Sequence, residues 1–185
     1  MAKKILVVVD VQNDFVKGGA LAYGYPEKSN TDGIIAKVKE FLANGDIVIA
    51  TRDTHHDNYL DTLEGKNLPI PHCIHYTNGW ELVGELQSLA NRGEIAVVDK
   101  PTFGTSLVGQ FIREVADKYG EIDEVDVVGY MTEICVLSNC VLLRAYMPNQ
   151  KIVLLEKLCG DIDEESHKAA LTVLRNQQIE VCDAV

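Results

Sequence analysis

Short runs of β-branched and aliphatic residues recur along the chain and constrain its fold more than any other feature. Five runs occupy 5–9, 47–51, 95–98, 125–128 and 152–155, and a weaker one lies at 179–182. They are apolar at every position, which is typical of parallel strands covered on both faces, and helical patterns lie between most of them. The sequence therefore predicts an α/β fold, a three-layer doubly wound sheet of about six mostly parallel strands with helices on both faces.

Helical periodicity predicts where the covering elements lie. Helices are expected at 32–43, 80–91, 106–118, 135–145 and 164–176. The first opens near Asn30 with Gly45 just beyond its end, and Asp163 is a candidate N-cap for the last. The longest segment without periodicity, 52–79, follows a strand end. Ligands bind beyond the carboxyl ends of such strands, so this loop is expected to cover a functional site.

Composition narrows the class of protein. A chain of 185 residues predicts one domain, 1–185. The net charge of −11 argues against a nucleic-acid partner, because such binding needs clustered Lys and Arg. No apolar stretch approaches the roughly 20 residues that span a bilayer, so no membrane association is expected. Five cysteines without a CxxC pair fit a reducing compartment. We therefore predict a cytoplasmic protein.

Three reactive side chains lie at predicted strand ends. Asp10 follows the run 5–9, Lys100 follows 95–99, and Cys135 lies just past the run 125–128, where a helical pattern restarts. Lys100 and a helix N-terminus would favour the Cys135 thiolate, and Asp10 could accept the thiol proton. Each residue taken alone is also compatible with a structural role, a buried cysteine being the commonest. Their shared placement at one sheet edge is what predicts a catalytic site.

The loop 52–79 also carries candidate metal ligands. Asp53 and His55 are two residues apart at a strand end, and His72 closes the same loop. Carboxylate and imidazole together suit zinc, iron or manganese. A loop histidine by itself is more often solvated or capping, so these residues alone leave the metal open.

Several motifs together resemble one enzyme family. Val-Asp-Val-Gln-Asn-Asp-Phe (9–15) is similar to the opening signature of the isochorismatase-like cysteine hydrolases, a superfamily that includes the nicotinamidases. The resemblance continues in family order over essentially the whole chain. Its further segments are Thr-Arg-Asp-Thr-His (51–55), Pro-His-Cys (71–73), Gly-Trp-Glu-Leu (79–82), Lys-Pro-Thr-Phe-Gly-Thr (100–105) and Gly-Tyr-Met-Thr-Glu-Ile-Cys-Val (129–136).

The resemblance assigns catalytic roles. It implies a triad of Asp10, Lys100 and Cys135. It also implies a cis peptide bond between Tyr130 and Met131, and an oxyanion hole formed by the backbone amides of Met131 and Cys135. Two such donors would stabilise a tetrahedral intermediate where its negative charge develops.

The resemblance also implies a metal site, with a departure from the usual pattern. The usual third histidine is absent, and Asn58, Tyr59 and Asp61 stand in its place. A subset of nicotinamidases with a similar Asn-Tyr-Leu and Glu-Gly-Lys run uses the Glu instead. The implied ligands of one divalent ion, zinc first with iron or manganese as alternatives, are therefore Asp53, His55, Glu64 and His72.

Substrate contacts are implied less directly. The usual aromatic residue shortly before the last ligand is missing, so ring stacking is expected from Phe15, with Leu68 and Tyr130 as walls. His56 and His75 are interpreted as structural.

Three functions are compatible with these observations. The first is a metal-assisted amidohydrolase that converts nicotinamide, or a similar small carboxamide, to the acid and ammonia through a thioester, and that assembles as a homo-oligomer. The second is a metal-free relative that hydrolyses a ureido or carbamoyl acid or an isochorismate-type ether. The third is a flavodoxin-like binding module in which Asp10 accepts phosphate. Against it, Gln12 stands where a second magnesium-binding acid is expected, and no phosphate-binding glycine motif is present.

Overall fold

A six-stranded parallel sheet forms the centre of the protein. The computed structural model describes residues 2–16, 18–22 and 30–183. The strands are β1 (Lys3–Val9), β2 (Ile47–Asp53), β3 (Ala96–Lys100), β4 (Ile122–Gly129), β5 (Ile152–Cys159) and β6 (Glu180–Cys182). The helices are α1 (Thr31–Ala43), α2 (Leu63–Asn67), α3 (Glu85–Asn91), α4 (Leu107–Tyr119), α5 (Leu137–Tyr146) and α6 (Glu164–Asn176).

The strand order is β3-β2-β1-β4-β5-β6, and every neighbouring pair is parallel. Two apolar cores lie on opposite faces of the sheet. One is built with α4, α5 and α6, and the other with α1 and α3. The predicted three-layer α/β fold is therefore confirmed. Because all strands run the same way, the ends of β1, β2, β3 and β4 lie at one edge.

Most predicted elements are present, and two predicted helices differ from those observed. The segment 80–91 is a 3-10 turn at Asn78–Trp80 followed by the shorter α3, which Gly84 precedes at a φ of 46°. The helix expected at 135–145 starts earlier, as a π-helical turn at Thr132–Val136 that continues into α5. The loop 52–79 contains α2, which is too short to give a periodic apolar pattern.

Helix caps follow the sequence signals. The side chain of Asn30 accepts a hydrogen bond from the amide of Gly33 at 2.9 Å, and Asp163 accepts one from Ser166 at 2.9 Å. Each cap satisfies a backbone donor that has no partner inside its helix. The chain leaves β4 through Gly129 at a φ of 124°, where an added Cβ would lie 2.1 Å from the carbonyl oxygen of Val9. Glycine is required there because β1 and β4 approach closely.

One carboxylate inside the sheet is poorly compensated. Asp126 on β4 is only 7% exposed, and its Oδ1 has no hydrogen-bond partner among the described residues. Burial and the neighbouring Glu124 raise the pKa of Asp126 to about 6, although Lys4 opposes the shift. Since this pKa exceeds the unfolded value, the folded state is favoured while Asp126 is protonated. That contribution is lost as the pH rises through about 6.

We therefore predict that Asp126→Asn stabilises the protein at pH 7.5 by about 1–3 kcal/mol, because it removes a buried charge with incomplete hydrogen bonding. The gain should shrink at pH 5, where Asp126 is largely protonated. Urea unfolding at both pH values measures it. Asp123→Asn, on the exposed side of the same strand, changes the net charge equally and should have little effect. An equal gain at the two pH values would contradict the prediction.

Candidate active site

The predicted trio meets at the carboxyl edge of the sheet. The Nζ of Lys100 lies 2.6 Å from Asp10 Oδ2 and 3.7 Å from the Sγ of Cys135. Asp10 and Lys100 are fully buried, and Cys135 is 7% exposed. Each side chain comes from a different strand end: after β1, at the last residue of β3, and in the π-helical turn after β4. The trio is therefore within mutual reach, although the residues are 35 or more positions apart in sequence.

The carboxylate of Asp10 is held by β2. Its backbone has a φ of 51°, uncommon for a residue with a side chain, and its amide donates to the carbonyl of Thr51 at 3.2 Å. The hydroxyl of Thr51 donates to Asp10 Oδ1 at 2.6 Å. Both carboxylate oxygens are thus engaged, one by a hydroxyl and the other by the ammonium of Lys100. The orientation of the carboxylate is fixed from two sides.

The surroundings of Cys135 oppose the thiolate that Lys100 and a helix N-terminus were expected to favour. Burial raises the pKa of Cys135 well above its ordinary value, and the negative charge of Asp10 raises it further, whereas Lys100 opposes both. The physical reason is that Lys100 already has Asp10 as its counter-ion, so little of its charge is left to stabilise a thiolate. Burial also raises the pKa of Asp10, with Lys100 opposing. The arrangement favours a neutral thiol beside a carboxylate that can accept its proton.

The turn that carries Cys135 is fixed by hydrogen bonds on both sides. The amide and hydroxyl of Thr132 both donate to the carbonyl of Gly160 at 2.8 Å. The amides of Ile134 and Val136 both donate to the carbonyl of Met131 at 3.1 Å. The Nδ2 of the buried Asn139 donates to the carbonyl of Cys135 at 2.8 Å. The peptide bond between Tyr130 and Met131 is cis, as the resemblance implied.

Four candidate metal ligands converge beside this trio. One ligand atom from each of Asp53, His55, Glu64 and His72 lies within 4.8 Å of the other three. His55 Nε2 is 2.9 Å from Asp53 Oδ2 and 3.5 Å from Glu64 Oε1, and His72 Nε2 is 3.4 Å and 3.6 Å from the same two oxygens. Donors bound to one zinc ion at about 2.0–2.1 Å would lie roughly 3 Å apart. The donor set therefore fits a divalent metal ion.

Electrostatics and tautomers support this fit. Burial lowers the pKa of His55, but its hydrogen bonds to Asp53 and Glu64 outweigh that effect and raise the pKa to about 9. Burial raises the pKa of Asp53, yet the two imidazoles and Lys100 hold it well below its usual range. The Nδ1 of His72 lies 2.9 Å from the carbonyl of Ile70, so donation there leaves Nε2 as the free acceptor facing Asp53 and Glu64. Two carboxylates and two imidazoles directed at one point attract a cation.

The local fold explains how Glu64 comes to face this group. Glu64 is the second residue of α2, and the hydroxyl of Thr62 caps that helix by accepting from the amide of Gly65 at 3.0 Å. An added Cβ at Gly65 would lie 2.1 Å from the carbonyl oxygen of Tyr59, so the turn is tightly packed. Asp61, the other acid nearby in sequence, is exposed and is not one of the four converging residues.

One cavity is lined by Cys135 and by three of the four candidate ligands. The three predicted wall residues, Phe15, Leu68 and Tyr130, line it together with Asp53, Glu64, His72 and Cys135. Sequence reasoning missed three further apolar residues of its wall, Leu21, Phe103 and Ile134. Phe103 and Ile134 each lie within three residues of a member of the trio, and this closeness in sequence could have indicated that they line the site. Leu21 lies in a segment without a regular pattern and gave none.

His56 and His75 lie outside the group of four candidate ligands. Their rings are 5.5 Å apart, and the ring of His75 stacks on Tyr76 at 3.7 Å and meets Trp80 at 4.7 Å. Their interpretation as structural residues agrees with this aromatic packing. Within the described part of the chain, no helix has the length and hydrophobicity needed to cross a membrane.

Comparison with known proteins identifies the family. The model of the isochorismatase domain matches residues 4–184. The chain belongs to this family. It is 31% identical to an isochorismatase family protein of Bacillus subtilis over 94% of this chain and 95% of that protein. It is 28% identical to the nicotinamidase/pyrazinamidase of Mycobacterium tuberculosis over 98% of this chain and 100% of that protein.

Solved structures agree with the fold. The crystal structure of a nicotinamidase from Bacillus subtilis superposes with a TM-score of 0.80 at 30% identity, covering 98% of this chain and 99% of that one. The predicted resemblance to the nicotinamidase branch of the isochorismatase-like hydrolases is confirmed, and with it the prediction of an enzyme of the amidohydrolase class.

Proposed function

We propose that this protein hydrolyses nicotinamide, or a closely similar small aromatic carboxamide, to the acid and ammonia. The observation that carries the proposal is the cavity that Cys135 lines together with Asp53, Glu64 and His72, three of the four candidate ligands, between apolar walls. The nicotinamidase and pyrazinamidase relatives support the choice of substrate.

In the proposed reaction, Cys135 is the nucleophile and Asp10 the proton acceptor. As the sulfur attacks the amide carbon, its proton passes to Asp10, so charge never accumulates on an unpaired buried thiolate. The amides of Met131 and Cys135 are the proposed donors to the oxyanion. Asp10 returns the proton to the departing ammonia, leaving a thioester. It then takes a proton from water as the water attacks the thioester, and it returns that proton to the sulfur of Cys135 as the C–S bond breaks and the acid leaves. Lys100 keeps Asp10 oriented and its charge balanced throughout.

Asp53, His55, Glu64 and His72 are the proposed ligands of one divalent ion, zinc in the first place. When bound, such an ion would supply a Lewis-acidic contact that orients the substrate ring. Phe15, Leu68 and Tyr130, with Phe103 and Ile134, would pack against that ring. Apolar walls suit an uncharged planar substrate.

The metal-free alternative is less well supported. A ureido acid carries a carboxylate, and the described lining of the cavity includes Asp53 and Glu64 but no Arg or Lys to bind an anion. A phosphate-accepting module is disfavoured as well, because Asp10 is fully buried against Lys100, and the side chain of Gln12 is occupied by main-chain hydrogen bonds. Cytoplasmic location, a single domain and homo-oligomeric assembly stay predictions.

Removing the thiol tests the nucleophile. Cys135→Ala should lower kcat for ammonia release from nicotinamide by about 10⁴-fold or more, because no other group can form the thioester. Cys182→Ala, on β6, is the matched control and should retain activity. With wild-type protein, added hydroxylamine should divert product to the hydroxamate, because it intercepts an acyl-enzyme. Normal turnover by Cys135→Ala would refute the assignment.

Charge removal at one proposed ligand tests the metal centre. Glu64→Gln should weaken Zn²⁺ binding to chelator-treated protein by about 10–100-fold, because it replaces an anionic donor with a neutral amide of nearly the same size. Asp61→Asn is the matched control. Asp61 lies three residues before Glu64 and its side chain is exposed, so removing its charge should leave the affinity for Zn²⁺ unchanged. Isothermal titration with Zn²⁺ measures both. The metal-free alternative predicts no stoichiometric binding even to the wild type.

The hydroxyl that orients Asp10 offers a milder test of the proton acceptor. Thr51→Val keeps the side-chain shape but leaves Asp10 Oδ1 without its donor, and should lower kcat by about 10-fold at an unchanged KM. Thr51→Ser should restore kcat, because it returns the hydroxyl. Steady-state kinetics on nicotinamide separates the two parameters. A Thr51→Val enzyme with wild-type kcat would show that this hydrogen bond does not serve the reaction.

A further inference from the structure

The opening motif 9–15 contains three polar residues that the proposed reaction does not use, and two of them, Gln12 and Asp14, bind the backbone of the candidate ligand segments. Asp10 belongs to the reacting trio and Phe15 to the cavity wall, whereas Gln12 and Asp14 contact neither the thiol nor the candidate ligand atoms. Gln12 is fully buried, and Asp14 is half-buried in a 3-10 turn at Asn13–Phe15. Buried polar side chains in one short turn require specific partners.

Gln12 binds the backbone of the candidate ligand Asp53. Its Oε1 accepts from the amide of Asp53 at 2.7 Å, and its Nε2 donates to the carbonyl of the same residue at 2.9 Å. The Nε2 also donates to the carbonyl of Trp80 at 2.9 Å. One amide side chain thus makes two hydrogen bonds to the backbone of Asp53, the residue that ends β2.

Asp14 binds the backbone next to another candidate ligand, His72. Its Oδ2 accepts from the amide of Cys73 at 2.7 Å, directly after the candidate ligand His72, and its Oδ1 accepts from the amide of Ala20 at 3.1 Å. Cys73 has a φ of 46°, an uncommon conformation that a fixed acceptor can help to maintain. Both oxygens of Asp14 are therefore required, and an Asn could supply only one acceptor.

We propose that Gln12 and Asp14 are positioning residues of the metal centre, and that this turn sets the spacing between Asp53 and His72. The inference rests on the proposed function, because it presumes that these ligands bind a divalent ion. Asp53 ends a strand, whereas His72 comes from the irregular segment after α2. A parallel bridge between His55 and Ile74 joins the two segments through their backbones, and the hydrogen bonds of Gln12 and Asp14 fix the backbone at Asp53 itself and directly after His72. Hydrogen-bond partners of ligands commonly change metal affinity by about 10–100-fold.

The experiment measures binding of Zn²⁺ alone, by competition with a chromogenic chelator, to folded, metal-free protein. Gln12→Met keeps the side-chain volume but loses all three hydrogen bonds, and Asp14→Asn keeps one acceptor of two. The matched control is Asn13→Ala. Asn13 lies in the same turn, and its Nδ2 donates to the carbonyl of Asn78 at 2.8 Å, away from both ligand segments. The visible absorption of bound Co²⁺ reports ligand geometry independently of stability.

A third variant serves if Asp14→Asn fails to fold. An added Cβ at Gly79 would lie 2.1 Å from Asp14 Oδ2, so Gly79→Ala displaces that carboxylate without changing its charge.

We expect the Zn²⁺ dissociation constant to rise by about 10–100-fold in Gln12→Met and in Asp14→Asn or Gly79→Ala, with an altered Co²⁺ spectrum. Asn13→Ala should match the wild type in both. Unchanged affinity in the folded variants, or an equal loss in Asn13→Ala, would overturn the positioning role while leaving the metal centre standing. A wild-type protein that binds no Zn²⁺ would overturn the metal centre and the positioning role together.

Discussion

The site depends on one buried ion pair, between Lys100 and Asp10. Both side chains are fully buried, and the charged atoms are 2.6 Å apart. Burying either charge alone would be strongly unfavourable, so each requires the other. Burial by itself lowers the pKa of Lys100, but the negative charge of Asp10 outweighs it and raises the pKa, so the ammonium stays charged. The sheet can bury this pair because β1 and β3 end at the same edge.

The same lysine connects the reacting trio to the candidate metal group. Its Nζ lies 3.6 Å from Asp53 Oδ1, while the other oxygen of Asp53 faces the two imidazoles. Lys100 therefore balances one carboxylate of the trio and part of a second in the ligand group. Burial raises the pKa of the Cys135 thiol, and this shared balance limits how far Lys100 can lower it. The ammonium of Lys100 already has two carboxylates as neighbours, Asp10 and Asp53. A Cys135 thiolate would add a third anion to this buried space, which is unfavourable.

Much of the fold and of the site was predictable because parallel strands impose a simple geometry. Apolar runs locate the strands, and residues that follow those runs must gather at one edge. That is why Asp10, Lys100 and Cys135 could be grouped although 90 and 35 residues separate them in turn. Glu64 was assigned by family resemblance alone, since the five-residue α2 leaves no periodic signal.

What could not be predicted depends on three-dimensional hydrogen bonding. The π-helical turn at Thr132–Val136 is stabilised by the carbonyls of Gly160 and Met131, and no local pattern encodes these contacts. Likewise, Gln12 stood out only as the absence of a second acid, whereas in the structure it clamps Asp53. The raised pKa of Cys135 was missed because the sequence shows a nearby lysine but shows neither the burial of the thiol nor the pairing of that lysine with Asp10.

The charge of the cavity also bears on the release of product. Nicotinamide is neutral, but its hydrolysis product is an anion at neutral pH. The cavity brings that anion close to the carboxylates of Asp53 and Glu64, which line it, while the ammonium of Lys100 is already paired with Asp10. Two like charges about 4 Å apart repel by about 4 kcal/mol at an effective dielectric constant of 20, although a metal ion would offset part of this repulsion. Because the described lining holds no Arg or Lys, and a bound metal ion would already be shared by two carboxylates, the cavity admits the proposed neutral amide more readily than it retains the acid. The electrostatics that suit the proposed substrate thus also favour the departure of its product.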